Sequence, residues 1–420
     1  MKWVVRALVM GVLFFMFLPQ AQAAEISTEI TLEMDGQVLP TDVPPVIHNG
    51  RTLVPFRMVA EALNLQVNWN DENQEVSVEG PGLDLKMQIG VAEATKNGEP
   101  VILDVPPMII SGRTMVPVRF VSESCGCRVV WNEEARKVSI YSKPSAMDVL
   151  GYYALGDAQT SSWTDLFGTV YPERGKGNTD IVKELVFGWY TMDEQGQLLT
   201  QSDSGWQRPE GWEDILQAAR SFQLKTQMCV QMTDKNARIR KMMNDTVARQ
   251  LAIQAIVAEA DRYNSVNLDF EGLGWHDTPE ELSKVRADFT SFVTDLASAL
   301  HLKGKQLTLS LHPLNSDYPG YDYQALGLQV DQMIIMAYDY GSKPEPVERV
   351  EEAVQLAVAS VSPEKLVLGI SAVNESEVSI IDKIDIAKRY HLDGIALWRL
   401  GLVTDEEWET LREELANNER

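Results

Sequence analysis

Cysteine is scarce in this chain: Cys125, Cys127 and Cys229 are the only three in 420 residues, so a disulfide framework is not the basis of its stability. Histidine is nearly as rare. His48, His276, His301, His312 and His391 are scattered, with no HExxH or CxxC companion, and the sequence calls for neither a metal nor any other cofactor. Cations are outnumbered by acids, 37 to 61, for a net charge of −24. Such a surplus repels nucleic acid and anionic membrane surfaces, and favours a neutral or mixed-charge polymer as partner. No long apolar stretch follows the first residues, and low-complexity tracts are missing; the composition is that of an ordinary globular protein.

The beginning of the chain reads as an export signal over residues 1–23. Lys2 and Arg6 supply positive charge, Ala7 to Leu18 form an apolar run too short to cross a bilayer comfortably, and Ala21-Gln22-Ala23 fits a cleavage site. Removing it takes away two cations and leaves no transmembrane segment. A secreted or envelope-associated location is the expectation.

The next hundred residues contain a duplication. DGQVLPTDVPPVIHNGRTLVPFRMVAEALNLQVNWNDENQEVSV, from Asp35, aligns without a gap with NGEPVILDVPPMIISGRTMVPVRFVSESCGCRVVWNEEARKVSI, from Asn97. Arg51 matches Arg113, Arg57 matches Arg119 and Trp69 matches Trp131, all at one offset. Each copy reads as a strand, an Asn-Gly or Ser-Gly turn, a short strand, an amphipathic helix (56–63; 118–125) and a hairpin with alternating apolar positions. The G-R-T-L/M-V-P-x-R motif and the V-x-W-N hairpin resemble the copper amine oxidase N-terminal-like domain, over roughly residues 30 to 142. Redox copper needs a cluster of imidazole ligands, and this module has His48 alone. The shared Arg, Pro55 and Pro117, and Trp positions are therefore read as turn, core and ion-pair residues of a non-catalytic module, over residues 24–143, that tethers the protein to the cell envelope.

After a Ser-Lys-Pro-Ser linker near 142–145 the pattern changes to short apolar strands alternating with amphipathic helices, which argues for parallel βα units. Strands are expected at 149–153, 185–190, 225–231, 265–271, 306–312, 332–338, 366–371 and 394–398. Helices are expected between them, at 212–222, 247–263, 281–302, 347–359 and 378–391. Eight such units over a length near the usual ~250 residues predict an α/β fold, a (β/α)8 TIM barrel over 147–420, preceded by the small duplicated α+β domain. Chemistry is then sought at the C-terminal ends of the strands.

The fourth strand reads Asn264-Ser265-Val266-Asn267-Leu268-Asp269-Phe270-Glu271. Side chains alternate along a strand, so Asn267, Asp269 and Glu271 share one face and Val266, Leu268 and Phe270 the other. With the polar face inside the barrel, Glu271 stands at its mouth. Two carboxyls at i and i+2 repel, and enclosure raises the pKa of at least one, which suits a general acid. Structural hydrogen bonding or cation binding is the other reading of the same pair.

This strand resembles the D-G-x-D-x-D-x-E signature of glycoside hydrolase family 18, the chitinase-like hydrolases. Met336-Ala337-Tyr338-Asp339-Tyr340 on strand six and Gly394 to Trp398 with Leu400-Gly401 on strand eight match at the corresponding points, so the resemblance spans about residues 147 to 410. It implies that Glu271 protonates the glycosidic oxygen and later activates water. Asp269 then orients the substrate's acetamido group, Tyr338 bonds its carbonyl, and that carbonyl is itself the nucleophile, the substrate-assisted exception to the two-carboxylate scheme. Asp339 and Met336 line the site, Asn267 supports Asp269, and Trp398 forms the floor under the reacting sugar. Tyr152, Trp189, Tyr190, Trp275 and Tyr340, near strand ends, are candidates to stack on sugar faces.

Two departures from the family pattern stand out. Asn264, Ser265 and Asn267 replace Asp, Gly and Asp, and an amide at 267 hydrogen-bonds Asp269 without sharing a proton, so a shifted pH optimum is expected. Barely twenty residues separate Ser371 from Gly394, where many chitinases carry an α+β insertion, so the cleft is expected to be shallow and open. The expected partner is a polysaccharide containing N-acetylglucosamine, in peptidoglycan, spore cortex or a chitin-like glycan. A non-catalytic glycan-binding barrel and an envelope scaffold remain the alternatives, since a fold does not establish a function.

Overall fold

The computed structural model describes residues 29–63, 65–80, 83–143, 147–153, 161–202 and 205–415. The expected export signal and part of the expected linker lie outside the described residues. In the module, Asn49-Gly50 joins Val46–His48 to Arg51–Pro55, and Ser111-Gly112 joins Met108–Ile110 to Arg113–Pro117. All four turn residues have positive φ, between 49° and 78°, as a two-residue hairpin requires. The second strands of the two copies then pair with each other, Leu53 with Pro117, Val54 with Val116 and Pro55 with Met115. Exchanging the copies maps this ladder onto itself, so the repeats are related by a local two-fold axis. Arg51 reaches Asp104 of the other copy at 2.6 Å, and Arg113 reaches Asp42 in the mirrored contact. Both pairs are half-exposed, so they fix register more than they stabilise.

The helices Phe56–Ala62 and Val118–Ser124 close over Val54 and Val116 to make the module's core. Thr31–Met34, ahead of the first copy, pairs in parallel with Lys137–Tyr141 at the end of the second, which ties the two ends of the module together. Trp69 corrects the expectation of a core residue. It is 38% exposed, and its indole nitrogen donates to Asp71 at 2.8 Å, as Trp131 does to Glu133 at 2.6 Å.

Eight parallel strands follow: Asp148–Tyr153, Glu184–Met192, Lys225–Thr233, Ser265–Glu271, Gln306–Leu311, Gln332–Ile335, Leu366–Ser371 and Gly394–Trp398. Strand one pairs with both strand two and strand eight, closing the barrel. Leu198–Leu199 folds back antiparallel on the end of strand two. Strand six is shorter than expected, its ladder ending at Ile335, because Tyr338 turns in under Gly369. A Cβ there would come within 3.2 Å of the Tyr338 ring and 2.8 Å of the Ile335 carbonyl oxygen.

The barrel walls carry two cores. Val266, Leu268 and Phe270 face outward under the helices, as the alternation requires, while Leu150, Val186, Cys229, Ile334, Val367 and Ala396 fill the lower interior. Helix Pro279–His301 begins with a capping box, the Thr278 hydroxyl accepting from the Glu281 amide and the Glu281 carboxylate accepting from the Thr278 amide. Its Phe292 stacks on Phe270 with ring centroids 5.9 Å apart. This packing anchors the strand from outside just below Glu271. The connection after strand seven holds only the turn Ala372–Asn374 and helix Ser379–Arg389, with no insertion.

The module meets the barrel at the C-terminal ends of its last two helices. Arg128 pairs with Glu414 at 2.8 Å, and Arg389 donates to the Asp35 carbonyl oxygen. Helices run antiparallel to barrel strands, so this contact lies at the end away from the strand C-termini.

Candidate active site

At the strand C-termini lies a cavity of about 730 Å³, lined by Tyr152, Asp269, Glu271, His312, Tyr318, Met336, Tyr338, Asp339, Tyr340, Arg349 and Trp398, with the 313–317 loop on one side. Asn267, Asp269 and Glu271 step upward along the inner face of strand four. Asn267 is fully buried, Asp269 is 4% exposed, and the Glu271 side chain reaches the opening at 29%. The Glu271 backbone is fixed on both sides: its carbonyl accepts from Asp234 N at 2.9 Å, and the neighbouring Phe270 carbonyl accepts from the Tyr321 hydroxyl at 2.8 Å. Gln231, at the end of strand three, donates to Glu271 Oε1 at 2.9 Å, and His312 Nε2, at the end of strand five, lies 3.6 Å from Oε2.

Burial sets the protonation of this site. It pushes Asp269 well above the usual carboxylate range, and the neighbouring Glu271 charge adds to the push. Glu271 is raised chiefly by burial; the Gln231 hydrogen bond opposes this and the Asp339 charge reinforces it. His312 is pushed down to about 4, mainly by burial, so its imidazole is neutral at pH 7. Tyr338 is held well above the usual phenol range, again by burial, and stays an O–H donor. Asp269 Oδ1 and Asn267 Nδ2 are buried and without a hydrogen-bond partner among the described residues. An orphaned acceptor on a carboxyl beside a cavity is costly unless a ligand completes it.

Most of the expected site residues converge here; Asn267, Tyr190, Trp189 and Trp275 do not. Asn267 lies below the cavity and, against expectation, does not hydrogen-bond Asp269: its Nδ2 has no partner among the described residues, while its Oδ1 accepts from Ser310 Oγ at 3.0 Å, and Ser310 in turn bonds the Tyr152 hydroxyl at 2.5 Å. Tyr190 corrects the expectation more strongly. An irregularity in register between Phe187 and Tyr190 turns it outward, where its hydroxyl meets Glu259 and Tyr263 at 2.8 Å each. Trp189 is 1% exposed in the outer core, and Trp275 lies tilted against His276 outside the cavity lining. Tyr152 and Trp398 meet edge-to-face at 5.1 Å, and Trp206, from the segment after strand two, packs edge-on to Trp398 at 5.7 Å. Gln231, His312, Tyr318 and Arg349 were not singled out by the sequence. The strand-end rule offered the signal for Gln231 and His312; nothing in the pattern marked Tyr318 or Arg349.

Residues 148–377 match the family model of glycosyl hydrolases family 18. The chain belongs to that family. Residues 33–140 match the copper amine oxidase N-terminal domain, so the module and the barrel are each recognised separately. A Bacillus subtilis (strain 168) protein provisionally named sporulation-specific glycosylase YdhD is 30% identical over 144 residues, 31% of this chain and 32% of that protein. The cortical fragment-lytic enzyme of the same organism is 26% identical over 144 residues, with the same shares. The chain thus aligns with about a third of the length of these relatives. In fold, the barrel resembles a chitinase from Chromobacterium violaceum ATCC 12472 (TM-score 0.53, 20% identity, covering 64% of this chain and 99% of that one). It also resembles the Bacillus cereus spore cortex-lytic enzyme SleL (TM-score 0.52, 16% identity, 66% and 76%). Among the described residues no helix is long and apolar enough to cross a membrane.

Proposed function

We propose that the protein is a glycosidase that cleaves β-1,4 bonds adjoining N-acetylglucosamine in peptidoglycan, spore cortex or chitin-like glycans, outside the cytoplasm. The observation that carries this reading is the buried Asp269–Glu271 pair on one strand face, with Glu271 alone reaching well into the cavity and its pKa raised. A carboxyl whose pKa is raised by burial is suited to act as a general acid. Glu271 donates its proton to the glycosidic oxygen as the bond to the anomeric carbon breaks. The acetamido carbonyl oxygen of the same sugar takes the place of the leaving group, giving an oxazolinium-type intermediate with retained configuration overall after water attack.

Each neighbour has a task in this scheme. Asp269, with its unpartnered oxygen, accepts the acetamido N–H, and the Tyr338 hydroxyl donates to the carbonyl oxygen. Trp398 presents an apolar floor for the sugar ring. Once Glu271 is a carboxylate, the Gln231 amide stabilises it until it takes a proton from the attacking water. The relatives that are named for spore cortex lysis favour peptidoglycan among the candidate glycans. The module, docked at the far end of the barrel, leaves the cavity open and is proposed to tether the protein to the envelope.

The test uses the chain without its first 23 residues and its Glu271→Gln variant, incubated with N-acetylglucosamine oligomers and with purified peptidoglycan, products being identified by mass spectrometry. Fragments from the parent that vanish with the variant support the assignment and name the glycan. Binding of either polymer without any fragment from the parent refutes it in favour of a glycan-binding barrel.

A further inference from the structure

Asp339 stands on the cavity wall in an awkward state. It is solvent-exposed, so packing does not hold it, and its φ is 65°, a left-handed conformation that a non-glycine residue rarely adopts unaided. What holds it is underneath. Glu345, 2% exposed, accepts the backbone N–H of Asp339 on Oε1 at 2.8 Å and that of Tyr340 on Oε2 at 3.0 Å. Asn374, in the turn after strand seven, donates from Nδ2 to Glu345 Oε1 at 2.6 Å and to the Asp339 carboxylate at 3.2 Å. Lys383, 2% exposed on the following helix, donates to the Glu345 carbonyl at 2.8 Å and pairs at 3.0 Å with Glu375, which also accepts from the Ser379 hydroxyl at 2.6 Å and from the Glu345 backbone N–H at 3.4 Å. The connection after strand seven is short, and that brings Asn374, Glu375 and Lys383 directly beneath the strand-six turn.

We propose that Glu345 and Asn374, backed by Lys383, are positioning residues that hold the Asp339 carboxylate at the wall of the catalytic cavity. Its use in catalysis rests on the glycosidase reading, but the geometry does not. The two Glu345 oxygens receive three donors, an arrangement that a carboxylate satisfies and an amide does not, because the amide nitrogen brings hydrogens of its own. Below them the buried ammonium of Lys383 and the Glu375 carboxylate compensate each other as an ion pair. The consequence reaches Glu271, because the Asp339 charge disfavours ionisation of that carboxyl. Loosening the brace lets Asp339 swing into solvent, weakens that influence, and lowers the pH at which Glu271 loses its proton. Glu271 also faces Asp269 on its own strand, Gln231 and Cys229 from strand three, His312 from strand five, and Tyr321 and Tyr338. Asp339→Asn is therefore the reference that isolates the share belonging to Asp339.

The experiment follows the Glu271 carboxyl by ¹³C NMR titration of glutamate-labelled protein, its signal assigned by loss in Glu271→Gln. Parent, Asp339→Asn, Glu345→Gln, Asn374→Ala and the Asn374→Ala/Asp339→Asn double variant are compared, with pH profiles on a fluorogenic N-acetylglucosamine dimer alongside. The brace predicts that both brace variants lower the Glu271 midpoint in the same direction as Asp339→Asn, and that the double variant adds nothing to Asp339→Asn. It also predicts that the alkaline limb of activity moves down with the midpoint and that kcat falls more than KM. Asn374→Ala, the milder change, carries the test if Glu345→Gln does not fold. An unmoved midpoint in folded Asn374→Ala, or in Asp339→Asn, overturns the proposal. A moved midpoint in a protein that cleaves nothing leaves the brace standing and removes the glycosidase reading instead.

Discussion

Gln231 shows how finely one side chain sets the chemistry of another. Its amide donates to Glu271 and so favours the carboxylate, against the burial that favours the acid. Gln231→Leu removes the donor, so the Glu271 pKa rises, and the alkaline limb of activity, where the acid form is lost, moves to higher pH. Turnover falls as well, roughly 10-fold if the lost bond to a charged group is worth about 1.5 kcal/mol. A pH–rate profile with an unmoved limb would contradict this role. At this scale strand alternation carried Asp269 and Glu271 to the cavity, while Tyr338 and Trp398, implied by the family resemblance alone, also line it. It failed at Tyr190, because a register irregularity inside strand two flips the face, and periodicity alone carries no mark of such a slip. His312 stood at the end of an expected strand, but its closeness to Glu271 depends on two strands being neighbours in space.

Among the elements, strand four and helix Pro279–His301 act as a pair. Phe270 is fully buried between Phe289 and Phe292 of that helix, one residue before Glu271. Phe270→Ala is expected to cost about 3–5 kcal/mol, from lost burial plus the cavity left behind, measured as a lower midpoint in urea unfolding. A cost under about 1 kcal/mol would mean that the helix does not anchor the strand. The eight strands and five of the helices were legible because the apolar runs and amphipathic stretches alternate cleanly; the structure adds Ser162–Phe167, Arg238–Asn244, Tyr323–Gly327 and Asp405–Glu414. Strand six was overextended, since Met336-Ala337-Tyr338 continues the apolar run although its backbone has already left the ladder. The strand at Thr31–Met34 was not anticipated: its partner lies a hundred residues away at the other end of the duplication, and pairing of that range leaves no local pattern.

For the whole molecule the informative region is the contact between module and barrel. Asp385, on the last helix but one, is raised to about 8, chiefly by burial and then by Asp35 of the module, with Lys388 opposing and Glu414 and Asp382 adding to the rise. An acid whose folded pKa lies above its unfolded value binds its proton more tightly when folded, so its contribution is fully present below about pH 4 and is lost as pH rises toward about 8. Asp385→Asn should therefore raise Tm at pH 8 and leave it nearly unchanged at pH 4, in parallel thermal scans. Equal effects at both pH values would contradict burial of this carboxyl against the module. The duplication predicted two similar halves, and the structure adds that they face each other across a two-fold axis. Neither composition nor motif indicated where the module would dock, because the contact is made by single residues such as Arg128, Glu414 and Arg389 dispersed over the chain.

The proposed reaction is a retaining, substrate-assisted cleavage driven by Glu271. Its most direct test is ¹H NMR of an N-acetylglucosamine oligomer during the first minutes of reaction, before mutarotation scrambles the new chain end. With the parent protein the β-anomer should accumulate first, and Glu271→Gln should release none. An α-anomer first, or cleavage that persists in the variant, would contradict it.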